Sequence, residues 1–175
     1  MKTAFLGLGT NLGNRRWYLA EAVRALVADP AILAVRGSSV YESKPVGVTE
    51  QPDFLNMVVQ VETTHLPLAL LSACLGIEAL LGRERLTRWG PRTIDIDVLT
   101  YEQLPWGDDA LTLPHPRLHE RSFVLVPLAE IAPGLNVNGV SVQSLAARIG
   151  AEDLRRVASW EELTESGRPL TPRAP

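Results

Sequence analysis

A chain of 175 residues fits one domain and is long enough to bury a hydrophobic core without disulfide or metal staples. Apolar residues make up 46% and charged residues 21%, the balance of an ordinary globular protein, and a net charge of −3 argues against nucleic acid or an anionic membrane held by bulk electrostatics. Cys74 is the single cysteine, which excludes an intrachain disulfide or a cysteine-based zinc site and makes the reducing cytoplasm the expected compartment.

Taken in chain order, residues 3–8 predict a strand and Gly9-Thr10-Asn11-Leu12-Gly13-Asn14 a turn. A helix follows over 15–28, with Asn14 as N-cap, Ala20, Val23 and Val27 on one face and Pro30 beyond its end. The β-branched run 32–42 reads as one long strand, and 44–52, with two prolines and a glycine, as a loop. Residues 53–63 alternate: Leu55, Met57, Val59 and Val61 form a core face, while Phe54, Asn56, Val58 and Gln60 form a wall suited to a ligand. A second helix is expected over 66–81, buried through Leu68, Leu71, Leu75 and Ala79 and closed by Gly82. Cys74 falls within its apolar pattern as an inert thiol.

Residues 83–91 form a basic loop and 93–100 a strand. A short segment at 111–113 leads into Pro114-His115-Pro116, and a helix over 122–131 contains Pro127, which predicts a kink or a late start. Asn138-Gly139 signals a turn, 142–149 a short helix, and the Pro- and Arg-rich tail 166–175 frays from a single domain spanning 1–165. No run of about 18 apolar residues is present to cross a membrane. The order β-α-β-β-α-β predicts an α+β, ferredoxin-like core: an antiparallel sheet with helices on one face, plus C-terminal additions, the other face being covered by loops, the C-terminal part or a ligand.

The chemistry concentrates in RWGPRTIDIDV at 88–98. On a strand, Ile94, Ile96 and Val98 point one way, and Asp95 and Asp97 point together the other way, roughly 6.6 Å apart. At that spacing two carboxylates repel by about 2.5 kcal/mol at an effective dielectric near 20, and a divalent cation between them reverses the sign. A wet edge strand would carry the same pair. Arg83, Arg85, Arg88 and Arg92 just upstream tip the reading toward phosphate held by arginine and metal held by carboxylate. His115 is stiffened by a proline on each side, although a histidine in a proline turn needs no ligand. Gly7-Leu8-Gly9-Thr10-Asn11-Leu12-Gly13 matches a dinucleotide-binding turn only loosely, and no Walker-type phosphate loop is present.

Four stretches together carry a family resemblance: LGLGTNLGNR at 6–15, QPDFLNMVV at 51–59, RWGPRTIDIDV at 88–98 and LPHPRLHERSFVLVPLAEIAP at 113–133. Across nearly its whole length the chain resembles the 6-hydroxymethyl-7,8-dihydropterin pyrophosphokinases of the folate pathway. The resemblance implies transfer of the β,γ-diphosphoryl group of ATP to the pterin hydroxymethyl, with release of AMP. It implies Asp95 and Asp97 as ligands of two magnesium ions and Arg83 and Arg92 as catalytic cations. It places Glu78, Arg85, Trp89, Thr112, His115 and Arg121 at ATP. Around the pterin it places Phe54 and Phe123 as aromatic plates, Asn56 as hydrogen-bonding partner, and Pro45, Val46 and Gly47 at the edge. Its partners are small molecules, with neither nucleic acid nor membrane. The chain departs from the pattern at Phe54, where tyrosine is common, at Ala110 and Pro116, and in a loop between Arg83 and Trp89 one residue shorter than in some members. Two rival readings are a non-catalytic ferredoxin-like module that binds a small ligand, and an enzyme of the same kind with a different hydroxymethyl acceptor.

Overall fold

The computed structural model describes residues 1–47, 49–82 and 93–164. In chain order its elements are β1 (Lys2–Thr10), α1 (Arg15–Ala28), β2 (Ile32–Gly37), β3 (Val40–Ser43), β4 (Phe54–Thr63), α2 (Pro67–Leu80) and β5 (Asp95–Tyr101). The two-residue strands β6 (Trp106–Gly107) and β7 (Thr112–Leu113), a 3-10 turn (Leu118–Glu120) and α3 (Ser122–Ile131) follow. The chain continues through β8 (Asn136–Val137), β9 (Val140–Ser141), α4 (Val142–Ile149), β10 (Leu154–Ala158) and α5 (Trp160–Leu163). No helix among the described residues is long and apolar enough to cross a membrane.

The main sheet runs β10-β3-β4-β1-β5, with β2 also on β4, and every pairing is antiparallel. This is the split βαβ arrangement expected from the element order. Period-two alternation divides the side chains between two cores. Ala4, Leu6, Leu8, Leu55, Met57, Val59, Val61, Ile96 and Val98 face α1 and α2. Phe5, Val58 and Leu99 face the opposite way and pack with Val124, Leu125 and Leu128 of α3 and with Val142 of α4. Those two helices fill only part of their face, and the part they leave open becomes the site.

Local chemistry accounts for most of the boundaries. Asn14 caps α1 by accepting a 3.1 Å hydrogen bond from the Trp17 amide. Gly82 takes a φ of +80° just past α2, where its amide donates to Ala79 O at 3.1 Å. Pro127 lies inside α3, which nevertheless spans the expected 122–131.

Two expectations are corrected. The single strand 32–42 is broken at Ser38-Ser39, where the register on β4 slips by one, from Gly37 opposite Val59 to Tyr41 opposite Asn56. Ser38 Oγ stands in for a ladder carbonyl and accepts from the Val58 amide at 3.0 Å, while Ser39 donates from both its amide and its hydroxyl to Glu130 at the end of α3. The buried stripe of α2 is Leu70, Cys74, Ile77 and Glu78, whereas Leu68 and Leu75 are exposed. With leucine on every side of that helix, periodicity alone had no phase to report. The strand β10 and the helix α5 were not anticipated, because neither shows a legible apolar period.

Cys74 is fully buried, and its thiol is pushed up to about 12 by desolvation and then by the Glu78 and Asp97 charges, consistent with an inert role. A Cβ at Gly37 would collide with the Trp160 ring and come within 2.9 Å of Met57 Cε. Gly37→Ala is therefore expected to destabilise the protein by about 1–3 kcal/mol through overpacking, read as a lowered denaturation midpoint. An unchanged midpoint would mean that α5 does not pack as described.

Candidate active site

The site is assembled by the register of β1 between β4 and β5. Gly9 stands opposite Asn56 on one side and Asp95 on the other; two residues back, Gly7 stands between Val58 and Asp97. All of these side chains therefore share the open sheet face. Because Gly7 and Gly9 carry no Cβ, the central strand forms a floor and a cavity of about 280 Å³ opens above it. A Cβ at Gly9 would lie 3.3 Å from Asn56 Oδ1 and crowd that amide. The two glycines escaped the sequence reading as site residues. Their i, i+2 spacing inside a predicted strand was the available signal, obscured by its likeness to a nucleotide-binding turn.

Phe54, Asn56, Asp95, Asp97, Arg121, Phe123 and Val46 all line this one cavity, so seven of the expected residues are brought together across more than sixty positions of sequence. Asn56 is buried and donates from Nδ2 to Ser43 Oγ at 2.8 Å, which fixes the orientation of the amide. Phe54 and Phe123 are half-buried and approach from β4 and from the first turn of α3. The Arg121 guanidinium lies 5.6 Å from the Phe123 ring centre and 3.9 Å from Asp97 Oδ2, linking the aromatic part of the cavity to the acidic part. Pro45 and Gly47 flank Val46 without lining the cavity, and Gly47 takes a φ of +85°. Ser43, Lys44, Arg117, Glu120 and Asp153 also line it and were not anticipated.

The loop that carries Pro45–Gly47 is tied down by the first sequence motif. Asn11, buried, donates from Nδ2 to Gln51 Oε1 and to Pro52 O, both at 2.9 Å. Arg15 Nη1 donates to Asp53 O at 2.8 Å and to Glu42 Oε2 at 2.9 Å. Burial opposes ionisation of Glu42, but the combined bonds and charges of Arg15 and Arg155 outweigh it and hold the carboxyl below its ordinary range.

Three expected ATP residues stand elsewhere, beside β5 rather than in the cavity. Glu78 is buried and accepts the Ile96 amide at 2.8 Å, gripping the strand between the two aspartates. The His115 amide donates to Leu99 O at 2.8 Å, and its Nδ1 accepts from the Arg117 amide at 3.2 Å. Thr112 is exposed on β7, opposite Gly107. Arg83, Arg85, Trp89 and Arg92 lie outside the described residues.

Asp95 and Asp97 offer two hard oxygen ligands side by side, and no group of three His, Cys, Asp or Glu residues positioned for a metal occurs among the described residues. That donor set fits magnesium, which fills its remaining positions with water and phosphate oxygens, better than zinc, which wants three or four protein ligands.

A ferredoxin-like α+β domain whose open sheet face joins a carboxylate pair to an aromatic and amide pocket is suited to holding a flat small molecule beside a metal-bound anion. The profile of the family described as 7,8-dihydro-6-hydroxymethylpterin-pyrophosphokinase matches residues 5–133. A 2-amino-4-hydroxy-6-hydroxymethyldihydropteridine pyrophosphokinase of Methylorubrum extorquens is 49% identical over 157 residues, covering 90% of this chain and 99% of the relative. The enzyme of that name from Bacillus subtilis is 43% identical over 141 residues, covering 81% and 84%. The crystal structure of Plasmodium falciparum HPPK-DHPS with pteroate superposes with a TM-score of 0.69 at 16% identity over 89% of this chain, and this chain spans only 45% of that longer protein, so the likeness concerns the fold. The chain belongs to the 7,8-dihydro-6-hydroxymethylpterin-pyrophosphokinase family.

The His115 ring is pushed below its ordinary value of 6.5 by burial first and then by the charges of Arg121 and Arg117, which the opposing pull of Asp95 does not overcome. As pH falls below 6.5 the unfolded chain takes up the proton first, so stability contributed by neutral His115 is full above 6.5 and is lost as pH falls through the folded value. Ligand-free wild type should therefore lose more stability on acidification across this window than His115→Gln; equal slopes in denaturation series at several pH values would refute this.

Proposed function

We propose that this protein transfers the β,γ-diphosphoryl group of ATP to the hydroxymethyl oxygen of 6-hydroxymethyl-7,8-dihydropterin, giving the pterin diphosphate and AMP in folate biosynthesis. The observation that carries the reading is the union, in one cavity, of Asp95 and Asp97 with Phe54, Asn56 and Phe123. A flat bicyclic heterocycle fits between two aromatic rings, while an amide held by Ser43 reads its polar edge. The phosphate-transferring end lies at the aspartates, one β-strand away. One domain, residues 1–165, carries this activity, and its partners are these small molecules.

In this reading the hydroxymethyl oxygen attacks the β-phosphorus. The bond from that phosphorus to the α,β-bridging oxygen breaks, AMP leaves with the bridging oxygen, and the hydroxyl proton passes to water. Two magnesium ions held by Asp95 and Asp97 would neutralise the triphosphate and lower the pKa of the attacking hydroxyl, so that no histidine base is required. Arg121 stands 3.9 Å from Asp97 and balances its charge in the ligand-free protein; with the triphosphate bound, its guanidinium is placed to meet phosphate oxygens. Glu78, Thr112 and His115 place the nucleotide along the outer side of β5, where Glu78 holds the strand straight through the Ile96 amide. Arg83 and Arg92 take the charge of the transferred group, with Arg85 and Trp89 beside the nucleotide. Pro45–Gly47 supply backbone contacts to the pterin edge.

A non-catalytic binding module needs no carboxylate pair in its pocket, and the family's named members are pyrophosphokinases. The expected outcome for Asp95→Ala and Asp97→Ala is a fall of about 10³-fold or more in pterin-dependent AMP formation with the fold intact by circular dichroism. Activity within tenfold of wild type would sink the assignment, and ADP in place of AMP would point to a simple kinase.

A further inference from the structure

The segment after α4 reaches the cavity wall, although neither the pterin nor the ATP assignment uses it. Asp153, the residue before β10, lines the cavity together with Ser43, Lys44 and Phe123. Its Oδ2 accepts a 2.7 Å hydrogen bond from Ser122 Oγ. Ser122 is buried and opens α3, between Arg121, which reaches toward Asp97, and Phe123, which walls the pocket. Both ends of α3 are thus tied by side chains to the β3 side of the sheet: the last turn through Glu130 to Ser39 and Tyr41, the first through Ser122 to Asp153.

The placement of Asp153 is itself built in. Gly150 takes a φ of +79°, a backbone conformation that favours glycine, and so turns the chain out of α4. The turn closes with the Leu154 amide donating to Ala151 O at 3.0 Å. β10 then pairs with β3, Leu154 opposite Ser43, and the Arg155–Glu42 ion pair at 2.8 Å fastens that register. The register sets Asp153 one residue before the Leu154–Ser43 pair, and Asp153 lines the same cavity as Ser43, whose hydroxyl orients Asn56.

We propose that Asp153 is a positioning residue for the acceptor pocket, holding Ser122 and the first turn of α3 so that Phe123 stands at the ring-stacking wall. This rests on reading the pocket as the pterin site. What Asp153 supplies is an acceptor oxygen at a fixed place, and its charge is secondary. Losing a bond of this kind loosens a wall that touches the acceptor alike in ground and transition states, so the effect falls on KM for the pterin.

Steady-state AMP formation by Asp153→Ala and Ser122→Ala should show KM for the pterin raised about tenfold, with KM for ATP and kcat within about threefold of wild type. The double variant should be no worse than either single one, and Asp153→Asn, whose amide oxygen can accept the same bond, should restore the pterin KM. An unchanged pterin KM in Asp153→Ala, a loss confined to melting temperature, or failure of Asn to rescue overturns the proposal. Hydrogen exchange at the amides of Val124 and Leu125 in ligand-free protein gives a readout that does not need turnover. It should quicken in both alanine variants and return to the wild-type rate in Asp153→Asn, and unchanged exchange overturns the proposal by itself. Wild type that forms no AMP would instead overturn the functional reading and leave the exchange result to decide this one.

Discussion

β1 runs antiparallel between β4 and β5, and its alternate residues Gly7 and Gly9 meet Val58 and Asn56 on one flank and Asp97 and Asp95 on the other. The carboxylate pair and the aromatic and amide pair of the cavity come from strands some forty positions apart in sequence, and they share a face only because that register holds. A slip of one residue on either side would turn the aspartates or Asn56 into the α1–α2 core, where a buried charge or amide without partners is heavily penalised. Were β1 itself the strand that shifted, Leu6 or Leu8 would come up into the floor and fill the cavity.

The register is protected by the packing on both faces. Leu6, Met57, Val59 and Ile96 are nearly solvent-free beneath α1 and α2, so strand movement exposes apolar surface at each of them. On the other face α3 and α4 cover Phe5, Val58 and Leu99 and stop where the cavity begins. The site is therefore the uncovered remainder of a face that an ordinary two-layer domain would close. Edge strand β5 is kept in line by partners outside the sheet: Glu78 accepts its Ile96 amide, and the His115 amide meets its Leu99 carbonyl. A buried carboxylate on a backbone amide holds the strand at the point between its two aspartates.

The break at Ser38-Ser39 links fold to site in another way. It shifts the register on β4 by one where Ser39 and, beyond it, Tyr41 bind Glu130 of α3, and α3 in turn brings Phe123 and Arg121 to the cavity. Beyond the break, Ser43 orients Asn56, and Arg15 and Arg155 bracket Glu42. One irregular strand thereby connects the aromatic wall, the amide and the C-terminal strand, which is the physical reason that the residues after α4 belong with the pocket.

Much of this was determined by the sequence alone. Alternation placed Asp95 with Asp97 and Phe54 with Asn56 on single faces, since period two is a local property of extended backbone. Capping and turn chemistry set the start of α1 at Asn14 and the end of α2 at Gly82, again through neighbours a few residues apart. Four motifs carried the family. The tertiary structure decided what depends on distant partners: which stripe of leucine-rich α2 is buried, where the strand after Ile32 breaks, and that LRRVA at 154–158 is a strand at all, because it pairs with β3 rather than alternating apolar residues. It also decided that Gly7 and Gly9 are the floor of a cavity and that Asp153 is part of its wall. A glycine shows in sequence only as permission, and a lone aspartate only as charge; the register of neighbouring strands turns one into space and the other into a partner for Ser122.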